Sequence, residues 1–148
     1  MADHATTQIT SFRGRFRFLP NFWPAEVRYW HIAFPTVEHA YVAAKSFDPD
    51  FHMKVAETAR PGQVKAMGRK VKIREDWEDV KLSVMKGLVR QKFRTNLGIQ
   101  LMETAPAELI EGNTWGDTFW GVCNGVGENH LGKILMAERD RLWTGGAE

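Results

Sequence analysis

Apolar residues recur at helical spacing over most of the chain. The longest such run covers residues 76–95, where Trp77, Val80, Val84 and Leu88 form one stripe that Met85, Val89 and Phe93 widen. That pattern predicts an amphipathic helix of about five turns committed to a core, with Asn96 and Gly98 as its stop signals. Shorter helices are expected at 36–45, 50–59, 62–70, 99–104 and 130–142, set apart by Asp48-Pro49, Arg60-Pro61-Gly62 and Thr104-Ala105-Pro106. Asn129 is the expected cap of the last one, with Leu131, Ile134, Leu135 and Leu142 facing inward. Residues 11–34 read differently. Phe12, Phe16 and Phe18 alternate with Arg13, Arg15 and Arg17, and 27–32 is a second extended stretch. Either a small antiparallel pair or an aromatic-rich loop is expected there, and a short strand or turn at 108–111. The resulting fold class is mainly α: a compact single domain over 11–143 with minor β structure near the N-terminus. Residues 1–10 and 144–148 are expected to be flexible ends.

Composition narrows the function classes. The 148 residues are 43 % hydrophobic and 26 % charged, a balance suited to one soluble domain with a real core. A net charge of +2 is too small to argue for a nucleic-acid partner by itself. Six tryptophans favour buried walls or stacking surfaces. Cys123 is the only cysteine, so no internal disulfide forms, and an intracellular, cytoplasmic location is expected. No run of 18 apolar residues predicts a membrane span, and the first ten residues lack the apolar core of a signal peptide. His4, His31, His39, His52 and His130 show no metal-ligand spacing among themselves or with Cys123, so neither a metal nor a cofactor is expected.

Candidate chemistry gathers in two places. In 34–45, Pro35 and Thr36 open a helix on which Glu38, Tyr41, Val42 and Lys45 share one face, while Ala40, Ala43 and Ala44 share the other. A carboxylate, a phenol and an amine then stand within one reach. They form either an acid/base site or a solvated Glu–Lys pair, and spacing leaves both open. Residues 112–129 hold five glycines and three asparagines, too many for a regular element, with Asp117 between Trp115 and Trp120. Paired carboxylates among flat indoles suit a substrate with a ring to stack and a glycosidic bond to break.

Cations supply the remaining signal. Arg60, Lys65, Arg69, Lys70, Lys72 and Arg74 lie in 60–74 without an acidic residue, and Lys86, Arg90 and Arg94 follow one another at i, i+4 on the long helix. These are solvated faces or landing points for phosphate. The segment Gly125-Val126-Gly127-Glu128-Asn129 leads into a helix N-terminus, where free N–H groups suit an anion; a plain turn is the alternative.

The chain resembles the NADAR family of YbiA-like N-glycosidases. The carrying residues are Phe12-Arg13-Gly14, Phe18-Leu19-Pro20-Asn21-Phe22-Trp23-Pro24, Phe34-Pro35-Thr36-Val37-Glu38-His39-Ala40-Tyr41, Ala44-Lys45, Gly68-Arg69-Lys70 and Asp76-Trp77. Asn113 to Gly121, Gly127-Glu128-Asn129-His130-Leu131-Gly132-Lys133, Leu135-Met136 and Arg139 complete the set. Trp23 stands where many members have Tyr, and Pro20 where many have Ser; neither change removes a catalytic group. The resemblance implies a compact, mostly helical fold and a metal-independent N-glycosidase. Its substrate is then ADP-ribose on the exocyclic amine of guanine in DNA or RNA, or alternatively a ribosylamino-pyrimidine phosphate of riboflavin synthesis. A non-catalytic module that binds ADP-ribose or nucleotides is the third reading. It further implies Glu38, Lys45 and Asp117 as catalytic residues, with Lys45 a Schiff-base nucleophile or a sugar-orienting donor. Asn21, Phe22, Tyr41, Trp115 and Trp120 would contact sugar and base. Arg13, Arg69, Lys70 and Arg90, with backbone donors at Gly127 and Asn129, would hold phosphate.

Overall fold

The computed structural model describes residues 7–145, and these form six α-helices and three two-stranded sheets. In chain order the elements begin with β1 (Gln8–Ile9), a 3-10 turn (Gly14–Phe16), β2 (Val27–Tyr29), β3 (Ile32–Phe34) and α1 (Val37–Ala44). There follow α2 (Pro49–Glu57), α3 (Pro61–Lys70), α4 (Trp77–Lys92), α5 (Leu97–Met102), β4 (Glu108–Leu109), β5 (Gly112–Asn113), β6 (Val122–Cys123) and α6 (His130–Trp143). The fold is mainly α, as expected. Residues 21–92 make one compact unit; the segments up to residue 20 and from residue 93 make the other.

In the 21–92 unit, α1 is the central rod. Its neighbours are α2, α3, α4 and the β2–β3 hairpin. Thr36 caps it, its Oγ1 accepting the His39 N–H at 3.0 Å. Asp48 caps α2 in the same way through the Asp50 N–H, and α3 opens on Pro61, whose missing N–H costs nothing in a first turn. An antiparallel pair is present in 11–34, but not the expected one: the stretch read as a single strand over 27–32 turns at Trp30-His31 and forms the β2–β3 hairpin, with Val27 opposite Phe34. Its turn residues Trp30 and His31 both have positive φ, 50° and 67°, a geometry usually signalled by Asn-Gly. The amide of Gln91 serves the other edge of β2, donating to the Arg28 carbonyl at 2.8 Å and accepting the Arg28 N–H at 2.7 Å. Trp77, Met85, Leu88 and Val89 bury the expected stripe of α4, while Val80 and Val84 are only half-buried.

The other unit corrects several expectations. Residues 8–9 are not a loose end: β1 pairs in parallel with β4, Gln8 opposite Glu108, and Ile9 is buried. Of the flexible ends expected at 1–10 and 144–148, residues 1–6 and 146–148 lie outside the described residues. Phe16 lies in the 3-10 turn rather than in a strand, while Phe12 and Phe18 are buried. The long helix stops at Lys92, and Gly98 does not end it but lies within α5. A Cβ at Gly98 would stand 2.3 Å from the Phe93 carbonyl oxygen, so the approach itself requires glycine. β structure is also not confined to the N-terminal part, since β5 and β6 pair in parallel inside the glycine-rich segment. Leu131, Ile134 and Leu135 bury the inner face of α6, with Leu142 half-buried. No helix among the described residues is long and apolar enough to cross a membrane.

Candidate active site on helix α1

Seven of the eight residues of α1 are buried: Val37, His39, Ala40, Tyr41, Val42, Ala43 and Ala44. Glu38 is the exception. The helix is therefore fixed on all sides but one, and the open side carries the carboxylate. His39 secures its first turn. Its Nε2 lies 2.7 Å from the Thr58 carbonyl and its Nδ1 lies 2.8 Å from Thr36 Oγ1. The carbonyl only accepts, so the ring proton sits on Nε2 and the threonine hydroxyl donates to Nδ1. Burial lowers the His39 pKa and keeps the ring neutral. The Glu38 N–H donates to the Asn21 carbonyl at 3.2 Å, which places Asn21 at the head of the helix. The Asn21 side-chain amide points to the Met85 sulfur at 3.6 Å.

Tyr41 is buried against Trp77, with ring centroids 5.1 Å apart, and the Lys45 ammonium lies 5.7 Å from the Tyr41 ring centroid. Lys45 is the C-cap of α1. Its carbonyl accepts the Arg74 N–H at 2.8 Å. Arg74 is anchored in turn by Asp76, at 2.6 and 2.9 Å, and by the Phe47 ring, 4.1 Å from its guanidinium carbon. The Lys45 amine is half-buried, and burial is the main reason its pKa falls below the ordinary lysine value. Glu38 opposes that fall, while Lys81, Arg69 and Lys65 add to it. Three further cations thus act on a lysine that also feels the Glu38 carboxylate.

The structure brings Glu38, Tyr41 and Lys45 together on α1, with Arg69 in electrostatic reach of the amine. Lys65 and Lys81 were not singled out by sequence as acting on Lys45. Their spacing was readable: Lys65 and Arg69 are i, i+4 on α3, and Trp77 and Lys81 are i, i+4 on α4. Their convergence on α1 was not. Among the other expected residues of this unit, Phe22 is 43 % exposed, Lys70 is exposed and Arg90 is half-buried on α4.

The remaining expected residues belong to the other unit. There Arg13 is exposed at the start of the 3-10 turn. Asp117 Oδ1 accepts the N–H groups of Phe119 and Trp120 at 3.1 and 2.9 Å, and its own N–H and carbonyl are held by the Asn113 side chain. Trp120 packs on Phe119 with centroids 4.8 Å apart, and Trp115 is 57 % exposed. Asn129 does not cap α6 with its side chain. It sits in the left-handed region (φ 55°), and its amide bridges the Glu111 N–H and the Leu109 carbonyl, both at 2.9 Å. The expected free amides at this helix start are also engaged. The N–H groups of Asn129, His130 and Leu131 donate to the carbonyls of Gly121, Phe119 and Trp120. Gly127 is required by its positive φ of 153° and by the Gly121 oxygen, which a Cβ would meet at 2.2 Å. No group of three or more His, Cys, Asp or Glu able to hold a metal occurs among the described residues.

The described residues form a mainly helical fold in which one helix bears a carboxylate and ends on a half-buried lysine. Residues 8–143 match the NADAR domain, and the chain belongs to that family. It is 37 % identical over 127 residues to the N-glycosidase YbiA of Shigella sonnei, covering 81 % of this chain and 76 % of that protein. It is also 37 % identical over 130 residues to a riboflavin biosynthesis protein of Vibrio vulnificus, covering 84 % of this chain but 35 % of that longer protein. The NMR structure of YbiA from E. coli superposes with a TM-score of 0.81 at 30 % identity, over 96 % of this chain and 89 % of that one.

Proposed function

We propose that this NADAR-family protein hydrolyses the bond between ribose C1 and an exocyclic amine, with Lys45 as nucleophile and Glu38 as proton shuttle. The observation that carries this reading is geometric: Lys45, half-buried at the end of α1 with its amine 5.7 Å from the Tyr41 ring centroid, shares that helix with Glu38, and burial, with Lys81, Arg69 and Lys65, lowers its pKa against the opposing pull of Glu38. An uncharged amine is the form that attacks carbon. A plain Glu–Lys surface pair would hold the lysine charged.

The chemistry follows from that amine. A riboside of an exocyclic nitrogen opens to an imine at C1. Lys45 Nζ adds to C1, and the electron pair of the C=N bond goes to the base nitrogen, which takes a proton from Glu38. A second proton then passes from the newly bonded Nζ to the base nitrogen, and the C1–N bond to the base breaks as the Nζ lone pair moves in. The base leaves as its free amine, and a C1=Nζ iminium remains. Water, deprotonated by Glu38, adds to that carbon; the Nζ–C1 bond breaks, releasing the sugar aldehyde and restoring the lysine. Asn21 and Phe22, at the head of α1, are assigned to sugar and base. Arg69 is assigned to phosphate together with Lys65 and Lys81, a charge that ADP-ribose would balance.

Guanine carrying ADP-ribose in nucleic acid is the favoured substrate, because a diphosphate matches several cations around one amine better than a single phosphate does. The relative named as a riboflavin biosynthesis protein favours the second reading, a ribosylamino-pyrimidine phosphate. Both contain the same bond. A decisive assay offers the protein an ADP-ribosylated guanine oligonucleotide and, separately, the ribosylamino-pyrimidine phosphate, each with and without borohydride. Release of ADP-ribose, and a reduced sugar adduct on Lys45, are expected. Turnover without any adduct would overturn the covalent route in favour of direct water attack on an oxocarbenium-like centre. No turnover of either substrate would leave a binding module.

A further inference from the structure

Gly68 lies inside α3 and is buried, at a position where glycine is an unfavourable helix former. Nothing in its backbone demands glycine, since its φ is not positive. The reason lies in what faces it. An alanine methyl at this position would stand 3.1 and 3.2 Å from the two methyls of Val42 and 3.3 Å from Lys45 Nζ. The helix that carries Lys65 and Arg69 is thus pressed against the amine at a residue without a side chain.

We propose that Gly68 is a positioning residue for Lys45: the space left by its missing side chain keeps Nζ on its line of attack and holds the sugar carbon once the Nζ–C1 bond forms. This rests on the covalent reading given above. Lys45 Nζ is the mobile end of a long side chain and the Val42 methyls belong to a buried helix. Of the groups that must yield to a new methyl, the amine moves most easily. Alanine is also the better helix residue. Gly68→Ala should therefore fold, and the damage should appear in chemistry rather than in stability. A displaced nucleophile, or one whose bonded carbon meets a methyl, loses its attack geometry while remote contacts to the substrate persist.

The test compares the unsubstituted protein with Gly68→Ala, Val42→Ala and the double variant, reading kcat, KM, melting temperature and borohydride-trapped adduct on Lys45. Val42→Ala removes the packing contact and leaves the methyl facing Nζ. The expected result is a fall of about 100-fold in kcat with KM little changed in Gly68→Ala, a matching loss of adduct, and the same loss in the double variant. Recovery of kcat and adduct in the double variant would overturn the proposal and leave Gly68 as a packing residue between α1 and α3. Unchanged kcat in Gly68→Ala would overturn it too. Absence of adduct in the unsubstituted enzyme under turnover would overturn the covalent reading itself, and this inference with it.

Discussion

Helix α1 and the glycine-rich segment 112–129 contain similar side chains: a carboxylate, aromatic rings and polar groups a few residues apart. In α1 the backbone closes its hydrogen bonds within the helix, and the Thr36 cap serves the exposed first turn. In 112–129 only two-residue strands are regular, so the backbone takes partners from side chains. Asp117 receives the Phe119 and Trp120 amides, Asn113 holds Asp117, and Asn129 bridges Glu111 and Leu109. A carboxylate between two indoles reads as a candidate acid in the sequence, and in the structure its Oδ1 also braces the loop. The difference lies in who satisfies the backbone.

Removing the amine should separate the two regions most sharply. Lys45→Ala is expected to abolish the trapped adduct and to lower kcat by at least about 10³-fold, and Glu38→Gln to lower it by about 10²–10⁴-fold, the range of a lost proton-transfer group. Neither change touches the Thr36 cap of α1, so the melting temperature should fall little. Steady-state kinetics beside thermal unfolding decide it. A Lys45→Ala enzyme that keeps its turnover would remove α1 from the chemistry.

Asp117→Ala should show the reverse pattern. It strips a charged acceptor from two backbone N–H groups, a loss of about 1.5–3 kcal/mol, which is several degrees of melting temperature for a domain of this size. Turnover per folded molecule, measured well below that melting temperature, should change far less than in Glu38→Gln. If Asp117→Ala melts normally but loses activity as Glu38→Gln does, then Asp117 is an acid/base residue and the comparison between the regions collapses.

Much of this was legible from the chain, and the limits have physical causes. Pro35, Thr36 and the shared face of Glu38, Tyr41 and Lys45 mark α1 and its chemistry, because helix caps and faces are local properties. The state of the Lys45 amine was not local. Glu38, its neighbour on the same helix, favours the charged form, and the opposing cations come from α3 and α4. Only tertiary structure sets that balance. The pairing of Gln8 with Glu108 was out of reach for the same reason, since nothing in either strand names its partner across 100 residues. The Trp30-His31 turn lacked the residues that usually announce its geometry. Asn129 carried the right residue type for a cap, but β4 and the residue before β5 compete for its side chain.

The smallest effects are those of single cations, and they test the electrostatic half of the argument. The folded pKa of Lys45 lies below the ordinary value of 10.5. Between the two, an unfolded chain holds a proton there that the folded chain does not, so Lys45 makes stability rise with pH across that window. Below the folded pKa the full cost of a buried charge is present; above 10.5 it is gone. Lys45→Met should therefore flatten this part of the melting temperature profile and raise stability most on its acid side. In the active enzyme the neutral fraction grows as pH rises through the same lowered pKa, which places the acid limb of kcat/KM below 10.5. Lys81 is one of the cations that push this pKa down. Lys81→Met should move the limb to higher pH, where less amine is neutral at pH 7, while leaving the alkaline plateau in place. The Lys81–Glu78 ion pair lost in the same variant, at 2.7 Å between a half-buried lysine and an exposed glutamate, is worth about 1 kcal/mol, so the fold should survive the change. A limb that stays where it was would show that the cations around Lys45 do not set its charge, and that burial alone distinguishes α1 from the loop.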